Sequence, residues 1–186
     1  SSADLANTSF TVEMWLKRNS TNTYDIAFSQ GDPGLPANNT ALHIGFSNGN
    51  DFLFNFYNDD LYVPFTNDGN WHHWACTYDH TTKEKKVYKD GVLVGQNIAN
   101  IGFIGYAGDD NMYIGDASYG LTFPGNGFDG SIDELRVWGT VRTEAEILAT
   151  MNCELPVPNY PNLEAYYLCN QGIAAGNNPL VTSLID

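Results

Sequence analysis

The chain has 186 residues, of which 22 are acidic and 8 basic, giving a net charge of -14. That balance excludes nucleic acid, whose binding needs clustered Lys and Arg to displace counterions, and it disfavours an anionic membrane surface. No apolar run is long enough to span a bilayer, so direct membrane insertion is not expected, and the surplus carboxylates suit solubility or a divalent cation such as calcium.

Residues 9–17 alternate strictly, with Phe10, Val12, Met14 and Leu16 on one face and Thr11, Glu13 and Trp15 on the other. This predicts a strand with one face in a core. Trp15, on the opposite face, is either half-covered by a neighbour or exposed for stacking. Residues 24–30 form a second expected strand, followed by a breaker-rich loop over 31–40. Residues 41–46 and 51–57 make a hairpin around 47–50. Asn58-Asp59-Asp60 turns into a strand over 61–65.

Trp71 to Asp79 is an aromatic-rich strand, joined by a looser polar connection to two strands that flank Asp90-Gly91. That dipeptide is the signature of a type I′ hairpin, which needs positive φ at both central positions. A Gly-rich loop over 98–110, a short strand over 111–116 and a long loop over 117–127 follow. Residues 128–138 form the last long strand. One helix comes next, with Thr143 as N-cap, Glu146 at the capping-box position, and Ala145, Ile147, Leu148 and Met151 facing inward. A short strand over 163–169 completes the series. About a dozen short strands with close turn signals predict an all-β, two-sheet antiparallel β-sandwich of the jelly-roll kind with one short helix in its C-terminal half.

Cys153 and Cys169 lie in polar, turn-rich surroundings and Cys76 inside the aromatic strand. The expectation is a Cys153–Cys169 disulfide with Cys76 buried and free, implying export; three reduced thiols are the alternative. The chain opens without a signal peptide in the run-in to a strand, which reads as a piece of something longer.

Three stretches together resemble laminin G-like, concanavalin A-like jelly rolls. They are Phe10-Thr11-Val12-Glu13-Met14-Trp15, the run from Asp68 through Trp71-His72-His73-Trp74 to Asp90-Gly91, and Phe128 to Trp138 followed by the helix with Glu146-Ile147. Tyr113-Ile114-Gly115-Asp116 and the final strand are similar to pentraxins. The resemblance implies a lectin-like domain over 1–152, with 153–186 a tail packed on it or joining it to a following domain. Such domains usually carry a strand before Phe10, which only a run-in replaces here. The tail or another chain would then have to fill the edge.

The same resemblance implies calcium at the rim, held by Asp32 and Asp116, with Asp109 and Asp110 in reserve. Glycan contacts are expected from loop residues near these acids: Asn38, Asn39, Tyr57, Asn58, Tyr119 and Phe123. They offer an aromatic platform beside hydrogen-bonding amides. Asp133 is a separate candidate, an acid expected on the face of Leu135 and Val137 and needing Arg136 or an ion as partner.

Catalysis is not expected. Hydrolytic members of this superfamily place alternating carboxylates on one strand facing a cleft, about 5 Å apart. Here Asp133 and Glu134 are strand neighbours, expected on opposite faces, and Glu13 stands alone. His72 and His73 likewise diverge, and His43 and His80 are scattered. The expectation is a non-catalytic recognition module of an exported or cell-surface protein, with calcium-assisted carbohydrate binding or adhesion. The alternative is a structural or protein–protein module contacting neighbouring domains of a larger chain, and a glycosidase ranks third.

Overall fold

The structure is a computed structural model that describes residues 3–19, 21, 23–31, 37–106, 111–117, 127–156 and 160–171. Two antiparallel sheets face each other. One has six strands in the order β11-β10-β1-β6-β7-β8: Leu163–Tyr167, Gly130–Trp138, Phe10–Arg18, His72–Tyr78, Glu84–Lys89 and Val92–Ile98. The other has five, β5-β4-β3-β2-β9: Asp60–Val63, Phe52–Asn55, Ala41–Phe46, Asp25–Gly31 and Met112–Ile114. One helix, α1, covers Glu144–Thr150.

The alternation along β1 sends Phe10, Val12, Met14 and Leu16 into the core, all at most 2% exposed. From the facing sheet come Phe28, Leu42, Ile44, Phe46, Phe52 and Phe54. The two layers lock where the rings of Phe52 on β4 and Trp74 on β6 stack 3.9 Å apart, 4° from parallel. Asp90 and Gly91 take positive φ, 51° and 78°, as the β7–β8 hairpin requires. A second such turn joins β4 to β5, where Phe56 N donates to Asp59 O around Tyr57 and Asn58, both at positive φ.

β11 pairs with β10 and occupies the edge beyond it. The chain after α1 therefore covers the outer face of the six-stranded sheet, where Trp138, Leu155 and Tyr166 form a small cluster. The helix starts as expected, with a complete Thr143–Glu146 capping box. Its packing differs from expectation: Ile147 and Thr150 are its buried residues, while Leu148 is 46% exposed. The reason is that α1 rests on Ala75 and Tyr88 through Ile147, while Leu148 lies over the Gly91 turn at the margin of that contact.

Beneath α1 lies a buried ionic group. Glu13, fully buried on β1, accepts Arg142 Nη1 at 2.9 Å and Trp138 Nε1 at 3.0 Å, with Arg136 Nη1 at 3.6 Å. Arg142 also donates to Thr150 Oγ1 and Glu146 O, tying the helix to the sheet. Burial pushes the Glu13 carboxyl up, and the two guanidiniums pull it back. Glu13 is thus a structural anchor. The cysteines are free thiols, and no Cys153–Cys169 bridge is formed. Each outer thiol instead lies against a backbone carbonyl of its own turn, Thr150 O for Cys153 and Tyr167 O for Cys169.

Candidate functional site

The residues expected to form the ligand rim separate into two places. Asn58 Nδ2 donates to Asn38 Oδ1 at 2.7 Å, and Asn39 N donates to Tyr57 O at 3.0 Å. This group lies beyond the Gly31↔Ala41 end of β2 and β3. Asp116 belongs elsewhere along β2. Its neighbour Gly115 donates to Ala27 O, its carbonyl accepts Ser29 Oγ at 3.0 Å, and its Oδ1 takes the Ala117 amide at 2.8 Å. Asp32, Asp109, Asp110, Tyr119 and Phe123 lie outside the described residues. Among the described residues, no three His, Cys, Asp or Glu side chains converge to hold a metal ion. The described part of the expected calcium set is Asp116 alone, with one oxygen already engaged.

A different constellation forms on the outer face of the six-stranded sheet. In register, Trp15 on β1 lies between His73 on β6 and Asp133 on β10. Its ring meets the His73 ring edge-on at 5.5 Å, and its indole N–H donates to Met151 O at 2.9 Å. Trp71, just ahead of β6, is 41% exposed. The backbone beside it is held by His72, whose ring nitrogens reach Asp90 at 2.8 Å and Asp68 at 3.2 Å, while Asp90 Oδ1 accepts the His73 amide.

The β10 wall departs from regular strand geometry. Register shifts between Glu13 and Trp15, and Glu134 takes φ 52°, a left-handed conformation that costs a non-Gly residue on the order of 1–2 kcal/mol. This is a β-bulge, a device that re-aims side chains. Its consequence overturns a simple strand reading. Asp133 and Glu134, which alternation would place on opposite faces, line one cavity together, and Asp133 does not share the core face of Leu135 and Val137. The Asp133 Oδ1 accepts the Glu134 amide at 2.9 Å, and Glu134 Oε2 accepts Arg136 Nη2 at 2.6 Å and the Tyr166 hydroxyl. Arg136 then reaches across to Cys153 O at 2.6 Å and Thr150 O at 2.9 Å, stapling the segment 151–154 over the sheet.

The result is an open cavity of about 370 Å³ bounded by Trp15, Trp71, Asp133, Glu134 and residues 151–154. Burial pushes the Asp133 carboxyl up, with the Glu134 and Glu154 charges adding to that rise. Two indoles offer apolar faces, and three carboxylates offer acceptors. Such a set can stack on the C–H face of a ring while accepting its hydroxyls. Sequence reasoning flagged Trp15 and Asp133 separately. It weighed Glu134 only as a carboxylate facing away from Asp133 and did not name Trp71 or Glu154 as ligand residues, because no pattern signals the bulge; a tail packed on the domain it did expect.

The sequence profile described as the concanavalin A-like lectin/glucanases superfamily matches residues 1–148. The chain belongs to that superfamily. Two walls of the cavity come from the matched region, and a third, 151–154, from beyond it. No curated protein sequence matches this superfamily member significantly. Solved structures do. A Bacteroides ovatus protein proposed to bind carbohydrate aligns with a TM-score of 0.68 at 22% identity, covering 87% of this chain and 45% of its own. This chain therefore spans less than half of that protein. The carbohydrate-binding module CBM40 of the Ruminococcus gnavus IT-sialidase, solved with α2,3-sialyllactose, aligns at 0.65 with 21% identity, covering 77% of this chain and 83% of its own. The SAP-like pentraxin of Limulus polyphemus gives 0.59 at 17% identity, covering 83% and 75%. No helix among the described residues is long and apolar enough to cross a membrane.

Proposed function

We propose that this chain is a non-catalytic carbohydrate-recognition module, and that the cavity between Trp15 and Trp71 receives the sugar. The observation that carries the reading is the cavity itself: a half-exposed Trp71 and a second indole beside carboxylates, over a strained bulge at Glu134. Backbone strain of this kind persists where the surrounding structure enforces it, and it concentrates at functional sites. Similarity in fold to carbohydrate-binding modules supports the same reading.

The superfamily also contains glucanases, so the absence of catalysis is part of the proposal. Asp133 and Glu134 are consecutive on one wall, Glu134 spends an oxygen on Arg136 and Tyr166, and Glu154 on the 151–154 wall is exposed, with one oxygen accepting Asn170 Nδ2 at 3.1 Å. Hydrolysis needs two carboxylates placed across the scissile bond. Export, a cell-surface setting within a larger chain and calcium assistance belong to the same proposal. The ion would involve Asp116 together with residues outside the described set. A second reading, a protein–protein module, draws on the exposed apolar side chains of the edge strand β8, with Val92 58% and Ile98 63% exposed.

A glycan array probed with wild type and Trp71→Ala tests the reading. Wild type binds a defined set of glycans, Trp71→Ala loses it, and no reducing sugar is released from bound oligosaccharides. Absence of any glycan binding by wild type leaves the protein–protein reading in its place.

A further inference from the structure

The charge around the cavity specifies its ligand further. Asp133, Glu134 and Glu154 line it, and no Lys, Arg or His does. The nearby cations are already committed. Arg136 is 1% exposed and spends its terminal nitrogens on Glu134, Cys153 O and Thr150 O. Arg142 is 5% exposed and turned inward to Glu13, Thr150 and Glu146 O. Lys17, two residues beyond Trp15 on β1, is not among the lining residues. His72 points to Asp68 and Asp90. A carboxylate-bearing sugar entering here would meet like charge in a partly desolvated site, with no cationic side chain in the lining to pair with it. Sugar hydroxyls, by contrast, are donors that carboxylates accept well. An amine-bearing sugar would gain charge attraction as well.

We propose that the Trp15–Trp71 cavity takes a neutral or amine-bearing pyranose and rejects sialic and uronic acids. The inference rests on the carbohydrate reading above and narrows it. It also separates this chain from the Ruminococcus gnavus module, whose solved ligand, sialyllactose, carries a carboxylate.

The test is titration calorimetry on matched pairs: lactose against α2,3-sialyllactose, and neutral xylo-oligosaccharides against their glucuronate-substituted counterparts, preceded by an array to select the neutral backbone bound best. The neutral member binds at least tenfold more tightly than its acidic partner. In the Asp133→Asn/Glu154→Gln double variant that ratio shrinks at least threefold, while Trp71→Ala loses both members. Thermal melting confirms that the variants fold. Acidic members bound as tightly as neutral ones, in a manner abolished by Trp71→Ala, overturn the charge inference and leave carbohydrate binding standing. No glycan bound by wild type, or binding indifferent to Trp71→Ala, overturns the cavity reading itself.

Discussion

Glu13 on β1 and Arg142 just ahead of α1 meet at 2.9 Å, with side chains 0% and 5% exposed. Their pairing, with Trp138 and Arg136 around them, holds the helix on the sheet, and the segment leaving that helix forms a wall of the cavity. Replacing Glu13 leaves two guanidiniums buried with only Glu134 to balance them. Removing one partner of a buried pair typically costs about 3–5 kcal/mol. Glu13→Gln is expected to lower stability by that order in urea unfolding and to weaken glycan binding through the displaced 151–154 wall. A loss below about 1 kcal/mol would mean that the arginines relax into water and anchor nothing.

The bulge gives a sharper test. Glycine adopts positive φ without the Cβ penalty, so at position 134 it should outperform alanine, the reverse of their order in an ordinary strand. Glu134→Ala and Glu134→Gly both lose the Arg136 and Tyr166 contacts, and Glu134→Gly is expected to be more stable by about 1 kcal/mol. Equal stabilities, measured by denaturant titration, would contradict a left-handed backbone there.

Two buried histidines set an acid response. Burial pulls His43 down to about 4, and burial with the Arg136 charge pulls His73 down to about 3, from 6.5. Between pH 6.5 and about 4 the unfolded chain takes up protons that the folded one refuses, so stability falls as pH falls, by up to about 1.4 kcal/mol per pH unit for each histidine. Glu13, raised by burial, titrates in the opposite sense, so the comparison must be with a variant. From pH 7 to 5, wild type is expected to lose about 2 kcal/mol more than His43→Asn. Parallel curves would show that His43 is not held neutral.

Much of the architecture was legible from local chemistry. Strict alternation placed Phe10, Val12, Met14 and Leu16 in the core, Asp90-Gly91 fixed a hairpin through its positive φ, and Thr143 with Glu146 marked the helix start. These signals are local because a strand face, a turn or a cap is decided within a few residues. The cavity was not legible, since it depends on pairings distant in sequence. Glu13 and Arg142 are 129 residues apart, and Tyr166 reaches Glu134 across 32. Period-two reasoning also failed where the ladder slips: it separated Asp133 from Glu134, and the bulge reunited them.

Calcium assistance makes its own forecast. A specific ion at Asp116 raises apparent stability by mass action, by about 2.7 kcal/mol at a concentration one hundred times its dissociation constant. Melting temperature should rise with calcium, fall back with chelator, and respond less in Asp116→Asn. An unchanged melting curve removes the ion and leaves the tryptophan cavity untouched.

The central claim is that sugar lies between Trp15 and Trp71. The chain has four tryptophans, and the other two, Trp74 and Trp138, are 1% and 2% exposed. A ¹H–¹⁵N titration of the four indole N–H signals with the glycan selected on the array reports each separately. The account predicts saturable shifts at Trp15 and Trp71 with Trp74 and Trp138 unmoved. Saturated binding that leaves both Trp15 and Trp71 unshifted would contradict it.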